Sequence, residues 1–234
     1  MQRSDVRSGI QRSWQAVDDL QLGETFSQPT PLEVDGEFRD IALTPTSTYS
    51  DVYLAGLNRS HYNFLLFDYS YFQFSWEKIN HVRYAYYPNP FLATDEQNIK
   101  DFRRKRELVE NGTVTHEDYL ALLRDTPIEA RVPALRYENS PDQRRELRHP
   151  CSHLHIGHHG DDRWPLNKLL SPLAFTLLVV KHYYGNEWRS IGDRDSDQNG
   201  NIYDSMLIKE KAEGCVLVSA NLFSDKDAAS FFLT

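Results

Sequence analysis

The apolar positions of this chain change period several times, and each change marks a new element. Val6, Ile10, Trp14, Val17 and Leu20 recur at three- and four-residue steps. That is the spacing of one helix face, so residues 4–21 are predicted as an amphipathic helix stopped near Gly23. Gln28-Pro-Thr-Pro31 is a stiff linker. Beyond it, residues 37–43, 49–55, 63–76 and 79–87 are dense in aromatic and β-branched side chains with short polar breaks. They are predicted as strands of an antiparallel meander. The run 64–76 exceeds the usual strand length of about five or six residues, so it has to bend, bulge or turn.

Thr94-Asp-Glu-Gln97 fits a capping box that opens a helix to about Glu110, where Asn111-Gly112 stops it. A second helix starts at Thr115 and carries Tyr119, Leu120, Leu122 and Leu123. Together, residues 94–125 read as a helical hairpin inserted between strands. Residues 135–138 and 152–157 are two further strands, joined by the polar loop 139–148. Ser171-Pro172 supplies a cap and a first-turn proline for a helix through Leu173, Leu177, Val180 and Tyr184, with Gly185 as its stop. Residues 187–191 are too short for a helix, 192–201 is a polar loop and 214–222 a late strand. The expected fold is α+β over one domain, residues 1–234: an antiparallel meander sheet with an N-terminal helix, the inserted hairpin and a helix from the C-terminal half packed on it.

The chain has 234 residues, 40% hydrophobic and 26% charged, which suits a globular core. A formal net charge of -8 argues against a general nucleic-acid coat protein. The two cysteines, Cys151 and Cys215, exclude a disulfide framework. No run approaches the roughly 18 apolar residues of a membrane span, and the first residues lack the basic-then-apolar order of a secretory signal. A cytoplasmic protein is expected.

Five of the nine histidines lie between His149 and His159. In an extended chain His149, Cys151, His153 and His155 share one face, and Pro150, Ser152, Leu154 and Ile156 the other. Such a face suits proton transfer or metal ligation. His153 and His155 would serve as acid and base for phosphodiester cleavage, with His149 assisting. Arg136, Tyr137 and Arg163 would hold the substrate, the two guanidiniums by paired hydrogen bonds to phosphate. Zinc on His153 and His155 with a third ligand is the less favoured alternative, because no paired carboxylate or separated Cys/His set stands in the sequence to fix a metal. No metal and no cofactor is therefore expected. Cys151 as a nucleophile is weaker still, since no cysteine-protease signature accompanies it.

The run Leu135-Arg-Tyr-Glu-Asn139, then His149-Pro-Cys-Ser-His-Leu-His-Ile-Gly157, Arg163 and Leu170-Ser-Pro172 heading a helix resembles an uncharacterised bacterial domain-of-unknown-function family, the 2290 family. The resemblance covers residues 130–185 well and the rest loosely. It implies one domain over nearly the whole chain and carries no established activity. A more distant similarity is to small toxin–antitoxin proteins with an Arg-Tyr-Asp-Asn-like strand before a His-rich one. Here Glu138 replaces the aspartate and Ser140-Pro141 interrupts the follow-on. Gly157 stands where a histidine-triad hydrolase would carry its third histidine.

Asp195 to Ile202 copies the first eight positions of a Ca²⁺ loop, but Met206 replaces the bidentate glutamate, so a polar turn is expected. Lys100, Arg103, Arg104, Lys105 and Arg106 spread around their helix and read as a solvated face. No phosphate loop, nucleophile elbow or dinucleotide fingerprint occurs. The expectation is a bacterial toxin-like or phage-defence protein that cleaves nucleic acid or nucleotide phosphodiesters without a metal. The alternative is a non-catalytic adaptor or subunit of a multiprotein assembly, with a protein partner encoded nearby. No membrane partner is expected.

Overall fold

A computed structural model describes residues 1–91, 96–124, 133–158, 163–193 and 200–231. The chain opens with α1 (Arg3–Asp19), whose first turn is closed by Asp5 accepting the Gln2 backbone N–H at 2.7 Å. Its predicted apolar stripe is buried at Val6, Ile10 and Val17. Then follow β1 (Gly23–Phe26), α2 (Gly36–Leu43), α3 (Tyr49–Asn58), β2 (Phe64–Leu66), β3 (Tyr71–Lys78) and β4 (His81–Tyr87).

Two predicted strands are therefore helices. Aromatic and β-branched density over 37–43 and 49–55 pointed to sheet, but capping decides otherwise. The Asp35 carboxylate accepts Phe38 N–H at 2.9 Å, and Thr48 and Asp51 form a reciprocal capping box. In α3 the buried positions Val52, Tyr53, Gly56 and Leu57 follow a helical step. Gly56 is needed there because a Cβ would collide with the Tyr71 hydroxyl group. The long apolar run 64–76 turns, as its length required: Tyr69 sits at φ +64° between β2 and β3.

The helical hairpin is α4 (Glu96–Glu110) and α5 (His116–Arg124), with Thr115 Oγ1 accepting Asp118 N–H at 3.1 Å. Next come β5 (Leu135–Asn139), a short 3₁₀ turn at Pro141–Gln143, β6 (Ser152–Ile156), β7 (Trp164–Pro165) and β8 (Lys168–Leu169). The Ser171 hydroxyl caps α6 (Pro172–Tyr183) through Ala174 N–H at 3.1 Å. α6 ends at Tyr183 with Tyr184 as its C-cap, so Gly185 follows its end as predicted, and Gly185 also begins α7 (Gly185–Gly192), which covers residues expected to be too short for a helix. The last elements are α8 (Ile202–Glu213), β9 (Val216–Leu217) and α9 (Asp225–Phe231). The late strand is thus two residues long, and two helices follow residue 200 where none was predicted. Asn201 caps α8, accepting Tyr203 and Asp204 N–H at 2.9 and 3.2 Å. Most of the Ca²⁺-like loop, together with Thr94 and His159, lies outside the described residues.

Strands β1 to β7 form one antiparallel sheet in chain order, and β8 pairs with β9 apart from it. The fold is α+β. One sheet face carries Phe72, Phe74, Tyr84 and Tyr137 against α1 and α6, with Phe175 at the centre. On the other face Tyr71, Ala85 and Tyr87 lie under α2, α3, α4 and α5 through Phe38, Tyr53, Phe102 and Tyr119. In the basic segment of α4, Arg103 pairs with Glu24 at 2.8 Å, and Arg103 and Arg106 both lie over the Tyr69 ring. Among the described residues no helix is long and apolar enough to cross a membrane.

Candidate functional site

Antiparallel pairing of β4, β5 and β6 builds the site. Glu138 lies directly opposite His153, and Arg136 directly opposite His155. Arg83 on β4 lies opposite Glu138. Directly opposed residues share a face, so these five side chains stand on the side of the sheet that carries Tyr71 and Tyr87. The two imidazoles meet, with Nε2 to Nε2 at 3.0 Å and ring centroids 4.8 Å apart. One donor atom each from Glu138, His153 and His155 lies within 4.8 Å of the others.

His153 Nδ1 is 2.8 Å from the Pro150 carbonyl oxygen, which can only accept, so Nδ1 carries the proton. The neutral ring then turns a bare Nε2 lone pair toward His155. Burial, followed by the charge of the neighbouring His155 ring, holds the His153 pKa down to about 4. At neutral pH His153 is uncharged, donating through Nδ1 to the Pro150 carbonyl and accepting at Nε2. His149 completes the row, its ring centroid 4.8 Å from that of His153. It is placed by a tight turn in which Arg145 and His149 exchange backbone hydrogen bonds at 2.8 and 2.9 Å. Burial and the positive charge of Arg163 lower its pKa, with Glu138 opposing them.

The row is less open to water than the alternation alone suggested. His153 is 0% exposed and His155 7%. The Glu138 side chain beside them is 17% exposed and 3.6 Å from Arg83 Nε. Among the described residues, the Nε of Arg136 and Nδ1 of His149 are buried and have no hydrogen-bond partner.

Two expected members fall elsewhere. Tyr137 lies on the opposite face, fully buried among Tyr84 and Phe175, and its hydroxyl holds Ser152 Oγ and Leu170 N–H, each at 2.9 Å. It is a core residue and not a substrate contact. Cys151 precedes β6, where the regular alternation has not begun, and its Sγ packs 3.7 Å from Asn139 Oδ1. Burial pushes its thiol up to about 11, which removes it as a thiolate nucleophile at neutral pH. Conversely, the sequence-based site omits Glu138 and Arg83. The signal for Glu138 was present, because any strand that aims Arg136 at the histidines aims Glu138 there too.

A groove of about 340 Å³, lined in part by Arg3, Arg59 and His61, lies elsewhere. Its arginines are already paired with Glu33, Asp35 and Glu37.

A family model described as an uncharacterized conserved protein family, DUF2290, matches residues 27–219. The chain belongs to this family. In this DUF2290 chain the matched span runs from before α2 to just beyond β9 and contains every residue of the cluster. No curated protein and no solved structure matches the chain.

Proposed function

We propose that the cluster on β5 and β6 is the active centre of a hydrolase that cleaves phosphodiesters of nucleic acids or nucleotides. The observation that carries this assignment is the Arg136 side chain. It stands opposite His155 with its Nε buried and, among the described residues, lacking a hydrogen-bond partner. A buried guanidinium donor without an acceptor is costly, and a phosphate oxygen is the acceptor its planar fork fits best. The imidazole–carboxylate group of His153, His155 and Glu138 lies beside it and can activate water against the bound phosphorus. Arg163, whose charge reaches His149, brings a second cation to the same neighbourhood. The setting of toxin-like or phage-defence action belongs to this proposal.

Incubation of the purified chain with RNA, DNA, cyclic nucleotides and an aryl phosphodiester tests it. Cleavage is expected, with Arg136→Ala losing at least about a hundredfold of the rate, as removal of a transition-state charge partner does. No cleavage of any of these, together with His153→Ala acting like wild type in cells, removes the proposal.

A second role, as a subunit that docks a partner protein, is supported by Val216 and Leu217 on β9, which stand 53% and 69% exposed. Co-purification with the products of neighbouring genes checks it, and a clean monomer in their presence argues against it.

A further inference from the structure

We infer that Glu138, His153 and His155 form a binding site for one divalent first-row transition-metal ion of the zinc or ferrous class. Ligand atoms that share an ion at about 2.0–2.2 Å stand roughly 3.0–3.6 Å apart, and the two Nε2 atoms are already 3.0 Å apart. The Glu138 oxygen lies within 4.8 Å of both, on a partly buried side chain whose torsions can close the rest.

The tautomer favours the same conclusion. With its proton fixed on Nδ1 against the Pro150 carbonyl, His153 presents its lone pair inward, the arrangement by which outer backbone groups orient metal-binding imidazoles. Both rings are buried, and an ion between them would take the place of the proton in the Nε2–Nε2 hydrogen bond they now share.

Donor chemistry sets the class of ion. Two imidazole nitrogens and one carboxylate oxygen suit zinc, ferrous and cobaltous ions, and disfavour magnesium and calcium, which take oxygen ligands. No cysteine belongs to the converging group, so a closed thiolate-rich structural site is not formed. Three protein ligands from two paired strands leave a coordination position open, as catalytic sites do. As an account of how water is activated, this inference rests on the hydrolytic proposal; as an ion-binding site it stands without it.

The test uses the full chain, stripped with chelator and dialysed. Cobalt(II) is titrated by its visible absorption and zinc by elemental analysis and by its displacement of cobalt. One ion per chain is expected, with tetrahedral-type cobalt bands and a melting temperature that rises with zinc. Glu138→Gln keeps the side-chain shape and is expected to bind at least about tenfold more weakly, while its metal-free melting temperature stays near that of wild type. His155→Gln is read alongside it by the cobalt spectrum. A folded wild-type chain that takes up far less than one ion, or a Glu138→Gln variant that binds as tightly with the same cobalt spectrum, overturns the site. Phosphodiester cleavage by a chain that binds no ion also overturns it and leaves the hydrolytic proposal standing. Stoichiometric binding lost in Glu138→Gln, without cleavage of any phosphodiester, keeps the site and removes the hydrolytic proposal.

Discussion

Replacing Tyr137 with phenylalanine separates a core role from a substrate role at the residue where sequence and structure differ most. Ser152 Oγ already donates to the Lys168 carbonyl oxygen at 2.7 Å, so the Tyr137 hydroxyl is the donor in its 2.9 Å bond to Ser152. The same hydroxyl accepts the backbone N–H of Leu170, the residue before the α6 cap, at 2.9 Å. Phenylalanine fills the space among Tyr84 and Phe175 but leaves the buried Leu170 N–H without an acceptor. An orphaned buried donor costs about 1–3 kcal/mol. With an unfolding entropy near 2.1 cal/mol/K per residue, this chain loses about 2 °C of melting temperature per kcal/mol, so a fall of about 2–6 °C is expected. Calorimetry measures that fall, and cobalt binding and cleavage per folded molecule should match wild type. A variant that melts like wild type but has lost turnover or raised its Michaelis constant would refute the core assignment and return Tyr137 to the site.

Glu210, buried on α8, accepts the Ser171 hydroxyl at 2.6 Å and pairs with Arg12, tying α8 to α6 and α1. Glu210→Ala should cost about 1.5–3 kcal/mol, nearly all from the buried end since Arg12 is half exposed; denaturant unfolding within about 0.5 kcal/mol of wild type would contradict this. Asp227 is pushed upward by burial, but the Ser224 N–H and hydroxyl and the Arg144 guanidinium outweigh that and leave its pKa lowered. A lowered folded-state pKa stabilises above the ordinary aspartate range and ceases to do so as pH falls through the folded value. The melting-temperature gap between wild type and Asp227→Asn should therefore be full at about pH 7 and shrink toward about pH 3; a constant gap would show that the carboxylate charge does not contribute.

The sheet was legible where pattern and pairing agree. Residues 81–87, 135–139 and 152–156 are strands close to where alternation and aromatic density placed them, and neighbours in sequence are neighbours in the meander. Aromatic and β-branched density misled at 37–43 and 49–55 because side-chain type weighs less than a cap, and Asp35, Thr48 and Asp51 are local signals of helix starts. At the site, β6 brings His153 and His155 together as a two-residue spacing requires. Tyr137 could not join Arg136 in the same pocket, since adjacent strand residues face opposite ways. That rule was available from Leu135-Arg-Tyr-Glu-Asn139 alone. What it could not supply was register: only the pairing of Glu138 with His153, set by the whole hairpin, shows that a carboxylate reaches the imidazoles.

The position of the cluster follows from how the helices share the sheet. On the face that carries it, the apolar side chains Tyr71, Ala85 and Tyr87 meet α2 to α5, while Ser75, Arg83 and Glu138 continue the same face toward the β3–β4 hairpin end and are polar. His153 and His155 lie along this polar continuation, and the loop between β5 and β6 brings His149 and the Pro150 carbonyl against His153. That loop is held from outside, because Arg144 donates to the Leu222 carbonyl at 2.9 Å and pairs with Asp227 at the start of α9. One residue further, the Arg145–His149 turn carries the third imidazole to the row. The C-terminal helix thus fixes a loop that bears a site residue. A purely structural histidine knot would gain nothing from a third ring supplied by a tethered loop, whereas a ligand site gains a wall.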